Sequence, residues 1–386
     1  MTNLYIDRDY LHQTLADLVR INSINPSLMP GGAGEREIAA YVTKAMQQFG
    51  MDIAQHEPMP RRISVVGTLR GTGGGKSLML NGHVDTVGVE NMSDPFSAEI
   101  RNGKLYGRGA YDMKGSVAAM LTAVKALRDA GLSLKGDLLL AAVADEEYAS
   151  LGTADIAARY KPDAAIVAEP TELQLALAHK GFVWLEVTTI GKAAHGSRPQ
   201  LGIDANMKMG RFLHELDRLE QNLRTRAPHP LVGPPTLHAA MINGGREMSV
   251  IADRCELRIE RRTIPGETEK QTIGEMHALL DRLTASDESF HATVKSFFAR
   301  EPFEVAADAP IVKAIQSAAA HVLQRQIESG GVSFWTDAAL LASAGIPTVV
   351  FGPIGAGAHA AEEWIDLQSV EQAAAIYAQT ALAYCR

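Results

Sequence analysis

Residues 137–147 read DLLLAAVADEE. Leu138 to Ala144 is an unbroken apolar run, as expected of a strand buried on both faces, and it stops at three acidic residues. AAIVAE at 164–169 repeats the pattern: an apolar run, then a carboxylate. SLMLNGHVD at 77–85 is a further apolar run, ending in a histidine and an aspartate. SVAAMLTAVKALRDAG at 116–131 has apolar residues at helical spacing and stops at Gly131. Strands alternating with helices predict an α/β fold: a mixed, mostly parallel sheet with helices on both faces.

Upstream, Tyr10, Leu11, Leu15, Leu18 and Val19 recur at helical spacing, and INSINPSLMPGG at 21–32 breaks that helix. A second amphipathic helix is expected over Glu35–Phe49, followed by the short run SVVGTL at 64–69. Downstream of Gly181 the character changes. FVWLEVTTIG at 182–191 alternates like a half-exposed strand. A helix from about Ala205, strands LHAAMIN and CELRIERRTI, a helix in GETEKQTIGEMHALLDRL and a strand FHATVKSFF follow. That order, β-α-β-β-α-β, is a ferredoxin-like α+β unit. It is expected as an inserted domain over 181–298, with 1–180 and 299–386 forming the other domain. PIVKAIQSAAAHVL, AGIPTVVFGP and VEQAAAIYAQTALAYC return to the α/β style.

Composition narrows the function classes. The 386 residues are 46% hydrophobic and 21% charged, an ordinary globular balance long enough for two domains. The net charge is −8 and no Lys/Arg block stands out, so nucleic acid is not an expected partner. The only cysteines, Cys255 and Cys385, form no CxxC pattern, so any metal is expected on oxygen and nitrogen ligands. The N-terminus has no signal-like apolar region, and no run approaches the roughly twenty apolar residues of a membrane span. A cytoplasmic location is therefore expected, with no membrane partner.

The acidic and imidazole side chains fall at strand ends. His83 and Asp85 are two apart, hence on one face of an extended chain, and Asp85 is placed to accept the imidazole N–H not used on a metal. Asp112 lies in the Gly-rich turn GRGAYDMKGS before a helix, a position that also suits a simple helix cap. Glu146 and Glu147 are adjacent carboxylates, which repel unless a cation is near. Glu169 ends its strand before Pro170, and His359 sits in GPIGAGAHAAEEW after TVVF. Each is ordinary alone. Together they gather where open α/β sheets bind ligands, as a donor set that suits zinc and could accept cobalt or manganese.

The motifs GHVDTV, GRGAYDMKGS, DEE, AEP, AAHGSRP, and GAH followed by EEW resemble those of a known family. It comprises the zinc-dependent exopeptidases and deacylases, including acetylornithine deacetylase, succinyl-diaminopimelate desuccinylase, aminoacylase and carboxypeptidase G. The chain is most similar to acetylornithine deacetylase-like members. The resemblance implies a di-zinc exopeptidase-like catalytic domain with the inserted unit as a lid and dimerisation surface. It implies two zinc ions per subunit, one on His83 and Glu169, one on Glu147 and His359, with Asp112 bridging them and a cis Asp112–Met113 peptide. Asp85 would orient His83, and Glu146 would be the general base for a water held between the ions. His195, in HGSRP, would polarise the scissile carbonyl from the partner subunit of a homodimer. Arg262 would bind the substrate carboxylate.

The sequence also departs from the family. Ser249 stands where many relatives have an Asn, so a substrate contact made through that amide is lost or shortened. FWTDAAL at 334–340 lacks the arginine of the desuccinylase motif, leaving Ala338 and placing Phe334 and Trp335 as candidates for an apolar acyl pocket. The expected reaction is hydrolysis of the amide bond of a small-molecule N-acyl amino acid. The alternatives are a dipeptidase or carboxypeptidase acting on short peptides, a succinyl-diaminopimelate desuccinylase, and, in another class, a non-catalytic zinc-binding protein.

Overall fold

A computed structural model describes residues 4–89 and 91–386. The chain forms two compact units: Met1–Leu177 with Val305–Gly330 and Thr336–Arg386, and Ala178–Glu304 with Gly331–Trp335. The first boundary falls within the strand Leu175–His179, which Lys180 alone separates from Gly181–Ile190, so no linker composition marks it.

The first unit is built on a mixed sheet. Its strands are β1 (Asp52–Met59), β2 (Arg62–Leu69), β3 (Leu78–His83), β4 (Leu138–Val143), β5 (Ala164–Val167) and β6 (Leu175–His179), with a late strand, β11 (Thr348–Val350). Seven of the nine strands of this sheet run in the order β1-β2-β4-β3-β5-β11-β6. The four central strands β4, β3, β5 and β11 are mutually parallel, while β1, β2 and β6 join antiparallel at the flanks. The apolar runs explain the centre: every residue of β3, β4, β5 and β11 is buried. Each buried Leu or Val contributes ~1.5–3 kcal/mol relative to exposure.

Helices flank this sheet. The helix Gly115–Asp129 is buried over most of its circumference, as its Ala-rich sequence allows, and it packs against the C-terminal helix Leu367–Tyr384. Asp366 caps that last helix by accepting the Ser369 N–H at 2.7 Å. A small antiparallel sheet joins Glu99–Arg101, Lys104–Tyr106, Trp364–Asp366 and Gly355–Ala356. These strands are two or three residues long and carry no readable periodicity.

The second unit contains β7 (Gly181–Ile190), β8 (Thr236–Gly244), β9 (Arg254–Thr263) and β10 (His291–Arg300). Their order is β8-β9-β7-β10, and every pairing is antiparallel. This is the ferredoxin-like arrangement expected from the chain order. Val183, Leu185 and Val187 of β7 and Leu257 and Ile259 of β9 face the helices Ala205–Thr225 and Glu269–Ser286, packing on Met209, Phe212, Met276 and Leu279. The second helix starts with a capping box, Thr268 paired reciprocally with Gln271. Phe182 and Trp184 alternate to the other face, as the period of a strand requires.

Cys255 and Cys385 are both free and buried. Among the described residues no helix is long and apolar enough to cross a membrane.

Candidate metal centre

The four parallel strands point their carboxyl ends the same way, and each is followed by candidate ligands. His83 is the last residue of β3 and is buried. Its Nδ1 lies 3.0 Å from the Asp85 main-chain carbonyl and 3.8 Å from the Asp85 carboxylate. The sequence assigned that contact to the carboxylate; in the structure the carbonyl is the hydrogen-bonding partner. The carboxylate is engaged elsewhere: it accepts the N–H groups of Glu146 and Glu147 at 3.1 and 3.3 Å, and Asn25 Nδ2 at 2.8 Å.

Beyond β4 the chain turns sharply. Asp145 has φ 72°, an uncommon conformation for a side-chain-bearing residue, and its carbonyl accepts the Ala149 N–H at 3.1 Å. Its carboxylate pairs with the buried Arg62, which also contacts Glu35 at 2.7 Å and Asn25 at 2.6 Å. Glu146 and Glu147 thus lie on a turn rather than in the strand, so the alternation that would send adjacent side chains to opposite faces does not apply.

Asp112 sits between β3 and the Gly115–Asp129 helix, and the Asp112–Met113 peptide is cis, as the family resemblance implied. Gly109 in this loop has φ 78°, and a Cβ there would come within 2.7 Å of Thr86 Cγ2, so the turn requires glycine. Glu169 follows β5 and is buried; His359 follows β11 on a loop, with φ 60° and a half-exposed side chain.

These side chains converge. Asp112 Oδ1 lies 3.0 Å from His83 Nε2, and Asp112 Oδ2 lies 3.3 Å from His359 Nε2. His83 Nε2 is 3.6 Å from Glu169 Oε1, and His359 Nε2 is 3.0 Å from Glu147 Oε2. In each of two groups, His83/Asp112/Glu147 and His83/Glu146/Glu169, potential ligand atoms all lie within 4.8 Å of one another.

The electrostatics call for a cation. Burial and the Asp112 charge push Glu147 up to about 7, and burial pushes Glu146 and Glu169 well above the usual carboxylate range. Burial would also raise Asp112, but hydrogen bonds from His359 and His83 outweigh it and hold its carboxyl below that range. Hydrogen bonds to Asp112 and Glu147 lift His359 to about 10. Burial opposes a proton on His83, yet Glu169 and Asp112 raise it well above the ordinary imidazole value. Protons on the imidazoles thus supply positive charge that a metal ion would bring instead, releasing both rings as neutral ligands. Glu147 Oε1 is buried with no hydrogen-bond partner, which suits an atom facing a cation. Imidazole and carboxylate donors without thiolate match zinc or a similar divalent ion.

The remaining candidates lie in the second unit. His195 is exposed, and its Nδ1 is 2.8 Å from Ser197 Oγ. The Ser249 carbonyl accepts the Gly196 N–H at 2.8 Å, so His195 and Ser249 lie on adjoining loops. Arg262 is held by Glu260 at 2.6 Å, its guanidinium 5.3 Å from the Phe182 ring centre. Trp335 donates Nε1 to the Glu301 carbonyl at 3.1 Å. Phe334 is exposed.

Several supporting residues carried no role in the sequence reading: Asn25, Glu35, Arg62, Arg108 and Glu363. Asn25 lies in the INPS stretch and Glu363 in the EEW triplet, so motif context flagged their neighbourhoods but not what they bond to.

Residues 79–383 match the model of Peptidase family M20/M25/M40. The N-formyl-4-amino-5-aminomethyl-2-methylpyrimidine deformylase of Bacillus subtilis (strain 168) is 31% identical over 389 residues, covering 92% of this chain and 91% of its own. The acetylornithine deacetylase of Proteus mirabilis (strain HI4320) is 32% identical over 359 residues, 88% of each chain. Aminopeptidase PepT from Bacillus cereus shares the fold, with TM-score 0.84 at 18% identity over 99% of this chain and 100% of that one. A dinuclear metal-binding peptidase of Bacillus subtilis does so with TM-score 0.76 at 16% identity over 97% of each.

Fold and site together define a metal-binding hydrolase acting on amide bonds. The chain belongs to Peptidase family M20/M25/M40. The family resemblance drawn from the motifs is thereby borne out, as is the mostly parallel α/β fold.

Proposed function

We propose that this protein hydrolyses the amide bond of a small N-acyl amino acid, using two zinc ions. One observation carries the reading: the two oxygens of Asp112 face two different imidazoles, His83 and His359, each with a further carboxylate beside it. That arrangement supports two cation positions sharing one carboxylate. His83 and Glu169 would hold one ion, Glu147 and His359 the other, with Asp112 between. Zinc bound there supplies Lewis acidity and makes a water acidic enough to act near neutral pH.

The chain's own residues do the rest. Glu146 accepts a proton from the attacking water as the water oxygen bonds to the carbonyl carbon. The C–N bond then breaks, and Glu146 returns the proton to the departing nitrogen. The products are a carboxylic acid and an amine. Asp85 keeps Glu146 and Glu147 in place through their N–H groups. His195 donates a hydrogen bond to the carbonyl oxygen from the partner subunit of a homodimer formed through the second unit. Arg262 binds the substrate carboxylate through its guanidinium.

The acetylornithine deacetylase relative supports an acetyl group on an amino acid, and the pyrimidine deformylase relative supports a formyl group on an amine. Turnover of zinc-loaded protein on a panel of N-acetyl, N-formyl and N-succinyl amino acids and dipeptides decides. Release of amine from the acyl substrates but not from dipeptides is expected. Dipeptides as the only substrates would make it a peptidase, and no turnover on any member would sink the reading.

A further inference from the structure

Arg108 and Glu363 form an ion pair at 2.7 Å with almost no solvent exposure. They are far apart in sequence and both stand close to proposed ligands. Glu363 Oε1 accepts the N–H groups of Tyr111 at 2.9 Å and Asp112 at 3.1 Å. Its Oε2 accepts the Gly109 N–H at 3.1 Å together with Arg108 Nη1. The carboxylate therefore accepts four hydrogen bonds, its full capacity. Arg108 turns two further donors to main chain: Nε to the Gly88 carbonyl at 2.8 Å, Nη2 to the Ala360 carbonyl at 2.9 Å.

One buried pair thus fastens three loops. Gly88 lies on the loop that leaves β3 past Asp85. Gly109 to Asp112 is the loop of the bridging carboxylate. Ala360 is the residue after His359. The Glu363 carbonyl adds a fourth tie by accepting the Gly107 N–H at 3.1 Å. The proposed ligands differ in how much they need this. His83 is on a strand, and Glu169 lies two residues beyond one, so the sheet itself places them. Asp112 and His359 are on loops, and the His359 side chain is half exposed.

We propose that the Arg108–Glu363 pair is the positioning device of the second cation position, the one formed by Asp112, Glu147 and His359. The inference rests on the two-metal reading above. The pair sets where Asp112 and His359 stand, and so whether a second ion is held. Fully hydrogen-bonded residues of this sort outside the ligand set commonly control metal affinity 10–100-fold.

The test compares Glu363→Gln and Arg108→Lys with a control, Glu267→Gln, in the full-length protein. Glu363→Gln replaces one accepting oxygen by an NH2 group, which donates where the main-chain N–H groups need an acceptor. Arg108→Lys keeps the charge but loses the fork that reaches Gly88 and Ala360. Glu267 pairs with the buried Arg261 at 2.7 Å in the second unit, where Arg261 also reaches Glu275 at 3.3 Å, so the control perturbs the ion pairs of a buried arginine elsewhere. Zinc per chain is measured by elemental analysis across a chelator series, and the visible spectrum of cobalt-substituted protein reports ligand geometry. Wild type should hold two ions. Glu363→Gln and Arg108→Lys should weaken the ion that His359 would hold at least about tenfold more than the ion that His83 and Glu169 would hold, with an altered cobalt spectrum. Glu267→Gln should lower the thermal midpoint yet hold two ions as wild type does. Two ions at wild-type affinity in both pair variants would overturn the proposal. So would equal weakening of both ions, or failure of both pair variants to fold while the control folds. Fewer than two ions in wild type would instead overturn the two-metal reading, and this inference with it.

Discussion

Asn25 donates its Nδ2 to the Asp85 carboxylate at 2.8 Å, joining two residues that are sixty apart in sequence. The same amide reaches Asp145 at 3.0 Å, and its oxygen accepts from Arg62. Asp85 in turn receives the N–H groups of Glu146 and Glu147. Asn25 is therefore placed to fix the turn that carries the proposed base. Asn25→Ala should lower kcat by roughly 10–100-fold with little change in KM, the usual range for residues that orient a metal site from outside its ligand set. Steady-state kinetics on the best acyl substrate checks this; an unchanged kcat would remove Asn25 from the account.

Glu146 carries the chemical assignment most directly. Replacing it with Ala should lower kcat by about 10²–10⁴-fold, the range for loss of a general base, while the protein keeps its metal. Turnover that survives in metal-loaded Glu146→Ala would assign the base elsewhere. Exhaustive chelation of wild type should abolish turnover, and added zinc should restore it.

The buried cluster around Arg62 predicts a pH effect. Burial first, then the charge of Asp85, pushes Glu35 up to about 8, against the pull of Arg62. The 2.7 Å contact with Arg62 does not keep it ionised, because that one cation is shared with Asp145. The folded protein thus holds a proton that the unfolded chain releases near pH 4.5. The associated stability is complete below that pH and is lost as pH rises through about 8. The loss is on the order of a few kcal/mol. Thermal midpoints of metal-loaded protein should fall between about pH 5 and 8. Glu35→Gln, which keeps an acceptor for Arg62 without a titrating group, should flatten that fall; an identical slope in the variant would refute the assignment.

Much of this was legible in the sequence because it depends on short-range pattern. DLLLAAVAD and AAIVAE read as buried strands, and the acidic residues just beyond them were expected at a sheet edge. The ferredoxin-like order followed from alternating strands such as FVWLEVTTIG. What was hidden depends on long-range pairing. Nothing near Glu363 announces that it accepts N–H groups from Gly109, Tyr111 and Asp112. Asp85 looked like the partner of the His83 ring, but two N–H groups from another loop claimed its carboxylate. The turn at Asp145, which brings Glu146 and Glu147 to one site, needs Arg62 from a different strand.

His195 tests the assembly. Its loop lies in the second unit, and the proposal has it serve the partner's active site. Two inactive variants distinguish the cases. Glu146→Ala lacks a base but has an intact His195; His195→Ala has the reverse. If the histidine acts across subunits, each mixed dimer has one complete site, with the base from one chain and the imidazole from the other. Random pairing in a two-fold dimer then restores about a quarter of wild-type sites. If the histidine acts within its own chain, no mixed dimer has a complete site and activity stays at the level of the parents. The measurement is turnover after unfolding and refolding an equal mixture, with each variant refolded alone as its baseline. Sedimentation run alongside establishes whether dimers form, because a monomer at assay concentration would exclude the cross-subunit role whatever the kinetics.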